Sequence, residues 1–206
     1  MVKIRFSKVE LRDLFKAWVI ISIAVGIVLT GGVLGLKLFT NVILAALTVG
    51  IGFLFHEMGH KIVAQKYGCF AEFRADNYML LLAIITSFFG IVFAAPGAVW
   101  ISGHVGKNRN GKIALAGPAT NIGLAVILVV LSFFFDGGYI GKIISLGLLI
   151  NVWLALFNLL PFWILDGKKI LSWDKTVYLI TLGLAIALFV LRYFLPSVMT
   201  VAEIIG

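Results

Sequence analysis

The sequence predicts an all-α membrane protein, a polytopic bundle of about five or six transmembrane helices with a short re-entrant β-containing segment. Hydrophobic residues make up 62% of the 206 residues and charged residues only 13%, which is too little polar surface for a soluble domain. Apolar stretches of about 20 residues, long enough to cross a hydrocarbon core as helices, recur along the chain. No sustained repeat or soluble appendage separates them, so we expect one integral membrane domain over residues 1–206.

Five apolar stretches are predicted to span the membrane: residues 17–36, 42–64, 112–135, 143–163 and 176–195. A sixth, residues 78–96, contains Gly90 and ends at Pro96 and Gly97, which disfavour a simple spanning helix. The flanking segments CFAEFRA and GAVWISG have the composition of short strands. We therefore expect this stretch to enter the membrane and return on the same side. Non-helical backbone at that depth requires a covering of protein or a water-filled cavity.

The distribution of basic residues supports the re-entrant interpretation. If residues 78–96 return, 14 of the 17 Lys and Arg residues lie on one side and 3 on the other; if they cross, the split is 10 to 7. The positive-inside rule favours the first arrangement and places the basic loops in the cytoplasm. The same rule explains the net charge of +8, and no nucleic-acid motif accompanies it. We expect a multi-pass protein of the cell membrane. Its expected partner is the lipid bilayer, and we expect no nucleic-acid partner.

The segment FLFHEMGHKIV begins in a run of eighteen residues without charge and then places His56, Glu57 and His60 within the apolar stretch. Residues four apart lie on one face of a helix, so both imidazoles can bind one metal ion. The pattern H-E-x-x-H is the helix signature of zinc metalloproteases, with Glu57 as general base. A chance match, an ordinary buried histidine and an ion path are the alternatives. Ionisable groups are costly within a membrane span, which favours one zinc ion per chain.

A catalytic zinc ion that keeps a water molecule needs a third protein ligand. Asp166 in NLLPFWILDGKK is the best candidate, because the re-entrant topology returns it to the same end of the bundle as His60. Asp136 falls on the opposite side. His104 is a possible ligand, but it follows Gly103 in a basic loop. Three further acids sit among bases, where a solvated surface role is expected: Glu72, Asp76 and Asp174.

At this point the sequence resembles the site-2 proteases, which are intramembrane zinc metalloproteases, and looks most similar to their compact archaeal members. The H-E-x-x-H motif, the L-D-G sequence around Asp166 and the N-x-x-P run from Asn158 to Pro161 match the family in order. AGPATN, which ends at Asn121, resembles the family's G-P-x-x-N helix start, and FAAPGAV its re-entrant segment. The resemblance covers a catalytic core of about residues 42–170.

The resemblance implies hydrolysis of peptide bonds within or near transmembrane segments of a membrane protein substrate, at a site toward the cytoplasm. His56, His60 and Asp166 would hold Zn²⁺, and Glu57 would move the proton. Asn158 either stabilises the oxyanion or only hydrogen-bonds within the bundle.

Two further expectations concern substrate and rival functions. Asn121 is expected to bind neighbouring helix backbone, and Gly97, Ala98 and Val99 to pair with an extended substrate. The rival hypothesis is a zinc transporter or sensor without hydrolysis. The oligomeric state stays open.

Overall fold

The structure, a computed structural model, describes residues 4–32, 35–92, 96–103, 105–135, 137–162 and 164–195. These residues form eight α-helices and one two-stranded sheet, which confirms the predicted fold class. In chain order the elements are α1 (Lys8–Leu29), α2 (Leu36–Ala45), α3 (Ile51–Lys66), β1 (Phe70–Ala75), α4 (Asn77–Ser87), β2 (Gly97–Ser102), α5 (Lys107–Ser132), α6 (Gly138–Asn158), α7 (Asp166–Trp173) and α8 (Lys175–Leu191).

Within the described residues, four helices are long and apolar enough to cross a membrane: Leu36–Lys66, Lys107–Ser132, Gly138–Asn158 and Lys175–Phe194. The expected first span, residues 17–36, is not among these four helices. Its helix α1 starts earlier and carries Arg12, Asp13 and Lys16 in its first half. The uncharged remainder, residues 17–29, is only about 20 Å long at 1.5 Å per residue, which is shorter than a hydrocarbon core of about 30 Å.

The segment between the two strands leaves the sheet and returns to the same point. Helix α4 has 11 residues, about 16 Å, which is too short to cross a membrane. The backbone N–H of Asp76 donates to the carbonyl of Pro96 at 3.0 Å, so the two ends of the excursion meet. Strand β2 then pairs antiparallel with β1, with Ala75 opposite Gly97. The geometry is that of the expected re-entrant segment.

The two edges of the sheet have different neighbours. On β1, the N–H of Phe73 donates to Glu10 Oε1 at 3.0 Å and that of Ala75 donates to Asp13 Oδ2 at 3.3 Å. Acidic side chains of α1 therefore cover the outer edge of β1. Because Phe73 directs its backbone outward, its partner Val99 also directs its backbone away from β1. The backbone groups of Val99 consequently lie on the free edge of β2.

A fully buried ion pair joins α1, α3 and β1. Lys61 Nζ lies 2.7 Å from both carboxylate oxygens of Glu10, and the two residues are 1% and 0% exposed. Lys61 also donates to the carbonyl of Ala71 at 2.9 Å and sits 4.6 Å from the ring centroid of Phe6. Lys61 thereby fixes the helix face next to His60.

A π-helical segment, Ala46–Gly50, separates α2 from α3 within one continuous helix. The wider turn leaves carbonyls without their usual helical partners, and the indole Nε1–H of Trp18 donates to Ala46 O at 3.1 Å. A Cβ at Gly50 would collide with the Trp18 ring. Since a π turn inserts a residue into the helix, it sets the rotation of α3 and thus the direction of its two histidines.

We predict that Glu10→Ala destabilises the protein strongly. The substitution leaves Lys61 as an unpaired buried charge, which typically costs about 3–5 kcal/mol, and removes the acceptor for Phe73 N–H. Unfolding in detergent followed by circular dichroism measures the loss. Arg12→Ala, which removes a largely exposed side chain from the same helix, serves as the control and should change little. Equal stability of the two variants would contradict a structural role for the pair.

Candidate metal centre

Three acceptor atoms converge between α3 and the start of α7. His60 Nε2 lies 3.1 Å from His56 Nε2 and 3.1 Å from Asp166 Oδ2, and His56 Nε2 lies 3.5 Å from the same oxygen. All three residues are buried. His56 and His60 come together because they are one helical turn apart, whereas Asp166 reaches them from a helix more than 100 positions later in the chain. The structure thus brings together the three predicted ligands.

Hydrogen bonds on the far side of each ring determine which nitrogen carries the proton. His56 Nδ1 lies 2.6 Å from Asn121 Oδ1, and His60 Nδ1 lies 2.8 Å from the carbonyl of Ile113. Both partners are acceptors, so each Nδ1 must be the N–H donor and each neutral ring presents a bare Nε2. One proton could satisfy only one pair among the three converging atoms, whereas one cation satisfies all of them.

The geometry fits zinc. Zinc–nitrogen and zinc–oxygen bonds of about 2.0–2.1 Å in a tetrahedron separate neighbouring ligand atoms by about 3.3 Å, and the observed separations are 3.1–3.5 Å. Burial raises the pKa of the Asp166 carboxyl, but positively charged imidazoles at His60 and His56 would outweigh it and lower that pKa. With both rings neutral, a bound cation would supply the positive charge instead, and Asp166 would bind it as an anionic ligand. Two imidazoles and one carboxylate, with a position left for water, are the donor set of a catalytic zinc site.

Close approach of α5 to α3 depends on two glycines. A Cβ at Gly117 would collide with the imidazoles of His60 and His56, and one at Gly59 would lie 2.7 Å from Ala116 O. The two helices can therefore touch at the level of the ligands. Gly117 and the adjacent Pro118 lie inside α5, which runs unbroken from Lys107 to Ser132. The expected helix start at this motif is thus wrong, because α5 continues through it.

Glu57 and the ligands line one cavity of about 230 Å³. The cavity is bounded by α3, the first turns of α5, the end of α6, the start of α7 and β2, and Glu57 is 8% exposed. The backbone of Val99 interacts with the Glu57 carboxylate, which places the free edge of β2 beside the expected general base. Lys169 lies 3.6 Å from the second carboxylate oxygen of Asp166 and also lines the cavity.

The remaining predicted site residues lie around the same cavity. Asn158 lines it, and its amide donates to Leu154 O at 3.0 Å, the contact expected of a residue that only hydrogen-bonds within the bundle. Gly97, Ala98 and Val99 also line it. The backbone of Ala98 faces β1, because it alternates with Val99, and a Cβ at Gly97 would collide with the β1 backbone.

The other acids have structural roles. Asp76 and Asp174 accept hydrogen bonds from N–H groups in the first turns of α4 and α8. Glu72 was expected at a solvated surface but is buried, where it binds Arg74 and accepts a hydrogen bond from Ser7. His104 and Asp136 lie outside the described residues.

Two asparagines behind the site were not predicted in this role. Asn121 was expected to bind helix backbone, and its Nδ2 does donate to Gly52 O at 3.1 Å, but its oxygen accepts from His56. Asn151 in α6, which no motif singled out, accepts from Asn121 at 2.9 Å. An uncharged polar residue within each of two apolar spans is the signal in the sequence that could have found them.

We predict that Gly117→Ala impairs zinc binding. The added methyl group occupies the space of both imidazoles, and a loss of zinc affinity on the order of 10–100-fold is expected, as when outer-shell contacts are removed. Gly123→Ala lies in the same helix with no atom within 4 Å of the new Cβ. Metal analysis of the two purified variants should find zinc retained in Gly123→Ala and depleted in Gly117→Ala. Full zinc in both would contradict the close approach of α5.

Comparison with known proteins finds two relatives in the archaeon Methanocaldococcus jannaschii. One, whose name gives it as a candidate zinc metalloprotease (MJ0611), is 44% identical over 141 residues, which cover 67% of this chain and 74% of the relative. The other, zinc metalloprotease MJ0392, is 31% identical over 143 residues, which cover 68% of this chain but only 37% of the relative. No family model and no solved structure matches. The chain belongs to the site-2 protease-like family of archaeal zinc metalloproteases.

Proposed function

We propose that this membrane zinc metalloprotease hydrolyses peptide bonds within or beside the transmembrane segments of other membrane proteins. One observation supports the proposal: the metal ligands and Glu57 are buried inside the bundle, alongside helices that are long and apolar enough to span a membrane. His56, Glu57 and His60 all lie in the helix Leu36–Lys66. His60 is six residues before the end of that helix, about 9 Å along its axis. The site therefore lies inside the length of a candidate membrane-spanning helix, short of its end, where a transmembrane substrate can reach it.

The chemistry follows from the positions of the side chains. His56, His60 and Asp166 would hold a zinc ion, which would supply Lewis-acid chemistry for the scissile carbonyl and for water. Glu57, in the same cavity, accepts a proton as the water oxygen bonds to the carbonyl carbon. It then donates that proton to the nitrogen as the C–N bond breaks, so that an acid and an amine are released.

Asn158 is the proposed donor to the developing oxyanion. Its amide nitrogen carries two hydrogens, and one of them is directed at Leu154 O. The other is available to a substrate oxygen in the cavity that Asn158 lines. Such a hydrogen bond would strengthen as negative charge develops on the carbonyl oxygen.

The free edge of β2 is the proposed binding surface for an unwound substrate. Acidic residues of α1 cover the outer edge of β1, whereas Val99 directs its backbone toward the cavity and Glu57. An extended segment that adds to β2 would present its peptide bonds beside the metal ligands. Ile101 shares the orientation of Val99, because it lies two positions further along the strand.

The basic end of the molecule is the proposed cytoplasmic end. The buried pair of Lys61 with Glu10 brings the start of α1 to the end of α3, and Asp166 brings the start of α7 there. Most Lys and Arg residues lie in the segments that meet at this end. The positive-inside rule then orients the site toward the cytoplasm, where water can enter the cavity past Lys169. The proposed partners are a transmembrane protein substrate and the bilayer.

We predict that Glu57→Gln abolishes cleavage and preserves zinc. Loss of the general base should slow hydrolysis of a membrane-spanning substrate by about 10²–10⁴-fold, while metal analysis still finds one zinc ion. Chelation should stop the wild-type reaction and added zinc restore it. A zinc transporter would keep its transport in the same variant, because transport needs no general base. Undiminished cleavage by Glu57→Gln would overturn the assigned role.

We predict that Ile101→Pro slows cleavage relative to Ile101→Ala. Both substitutions remove the isoleucine side chain, but only proline also removes the backbone N–H on the free edge of β2. The pairing of β2 with β1 does not use that N–H. The loss of one backbone hydrogen bond to substrate should cost roughly 2–10-fold in kcat/KM. Both variants should retain zinc. Equal rates for the two variants would argue against strand pairing by the substrate.

A further inference from the structure

A directed chain of buried side-chain amides ends at His56. Asn151 Nδ2 donates to the carbonyl of Gly147 at 2.8 Å, and Asn151 Oδ1 accepts from Asn121 Nδ2 at 2.9 Å. Asn121 Oδ1 in turn accepts from His56 Nδ1 at 2.6 Å. The two asparagines are 3% and 0% exposed. The chain links α6 through α5 to α3, and each of its members has one side facing a donor and the other facing an acceptor.

Backbone carbonyls fix the direction of this chain. Gly147 O and Gly52 O can only accept, and the amide nitrogens of Asn151 and Asn121 face them at 2.8 and 3.1 Å. Rotating either amide by 180° would place two acceptors in contact at a buried position, which costs about 1–3 kcal/mol for each unsatisfied group. The amide oxygen of Asn121 is thereby held toward His56. That oxygen requires a proton on Nδ1, which leaves Nε2 as the metal-binding atom.

We propose that Asn121 and Asn151 are positioning residues that select the tautomer and ring orientation of His56 for zinc. The inference rests on the proposed zinc site but not on peptide cleavage, since neither asparagine lines the cavity that holds Glu57. His60 has a backbone acceptor, the carbonyl of Ile113, so only His56 depends on replaceable side chains for its orientation. Outer-shell partners of this kind contribute 10–100-fold to metal affinity.

The test measures zinc affinity of the full-length protein in detergent by competition with a chromophoric chelator, together with the visible spectrum of the Co²⁺-substituted form. Asn121→Leu removes the acceptor and should weaken zinc binding about 10–100-fold and alter the Co²⁺ bands. Leucine has nearly the same shape as asparagine, so this variant keeps the packing of α5 while it removes the acceptor for His56 and the donor to Asn151. Ser132→Ala, which removes a buried polar group elsewhere in α5, should match wild type in both measurements.

Two results would overturn the proposal: zinc affinity within twofold of wild type in Asn121→Leu, or an unaltered Co²⁺ spectrum in that variant. The second would show that Asn121 acts through packing alone. If Asn121→Leu does not fold, Asn151→Leu replaces it. That variant keeps the oxygen beside His56 but releases its orientation, so a weaker affinity of about threefold or more is expected, and an unchanged affinity counts against the proposal. Because no readout uses cleavage, failure here is separate from failure of the proposed protease activity.

Discussion

One constraint governs the rest of the structure: three acceptor atoms, which repel one another, meet inside an apolar helix bundle. Two bare imidazole nitrogens and a carboxylate oxygen lie within 3.5 Å of one another, an arrangement that only a cation makes favourable. The surrounding helices are arranged so that these three atoms stay together. Glycines in α3 and α5 permit the helices to touch, α7 brings Asp166 back to the site, and each histidine is anchored through its far nitrogen. Metal binding and helix packing are therefore coupled.

The same constraint explains the charged groups that lie away from the metal. Helix α3 can present its histidines in one direction only if its rotation and depth are fixed. The π segment with Trp18 sets the rotation, and the pair of Lys61 with Glu10 ties the last turns of α3 to α1 and β1. These contacts also cover one edge of the sheet and leave the other edge facing the cavity. One cluster of buried polar groups thus serves both the metal helix and the substrate-facing strand.

Much of the site follows from local sequence rules, and the rest requires tertiary contacts. Helical spacing places His56 and His60 on one face of α3, and the distribution of Lys and Arg places Asp166 at the same end of the bundle as His60. Helical periodicity and a count of basic residues on each side were enough for both predictions. The burial of Lys61 could not be predicted in this way, because its partner Glu10 lies 51 positions away in a segment rich in Lys and Arg. Likewise, Asn121 resembles a packing residue until the His56 ring is placed against it. The expected first span is not among the helices of the described residues that are long and apolar enough to cross a membrane, because α1 carries acids that bind the edge of β1.

X-ray absorption at the zinc edge of the purified protein tests the central claim most directly. The structure predicts one zinc ion per chain with two imidazole nitrogens and carboxylate oxygen in its first shell at about 2.0–2.1 Å, and loss of one imidazole contribution when His60 is replaced by alanine. A sample without stoichiometric zinc, or a spectrum with sulfur or a different number of imidazoles around the metal, would contradict it.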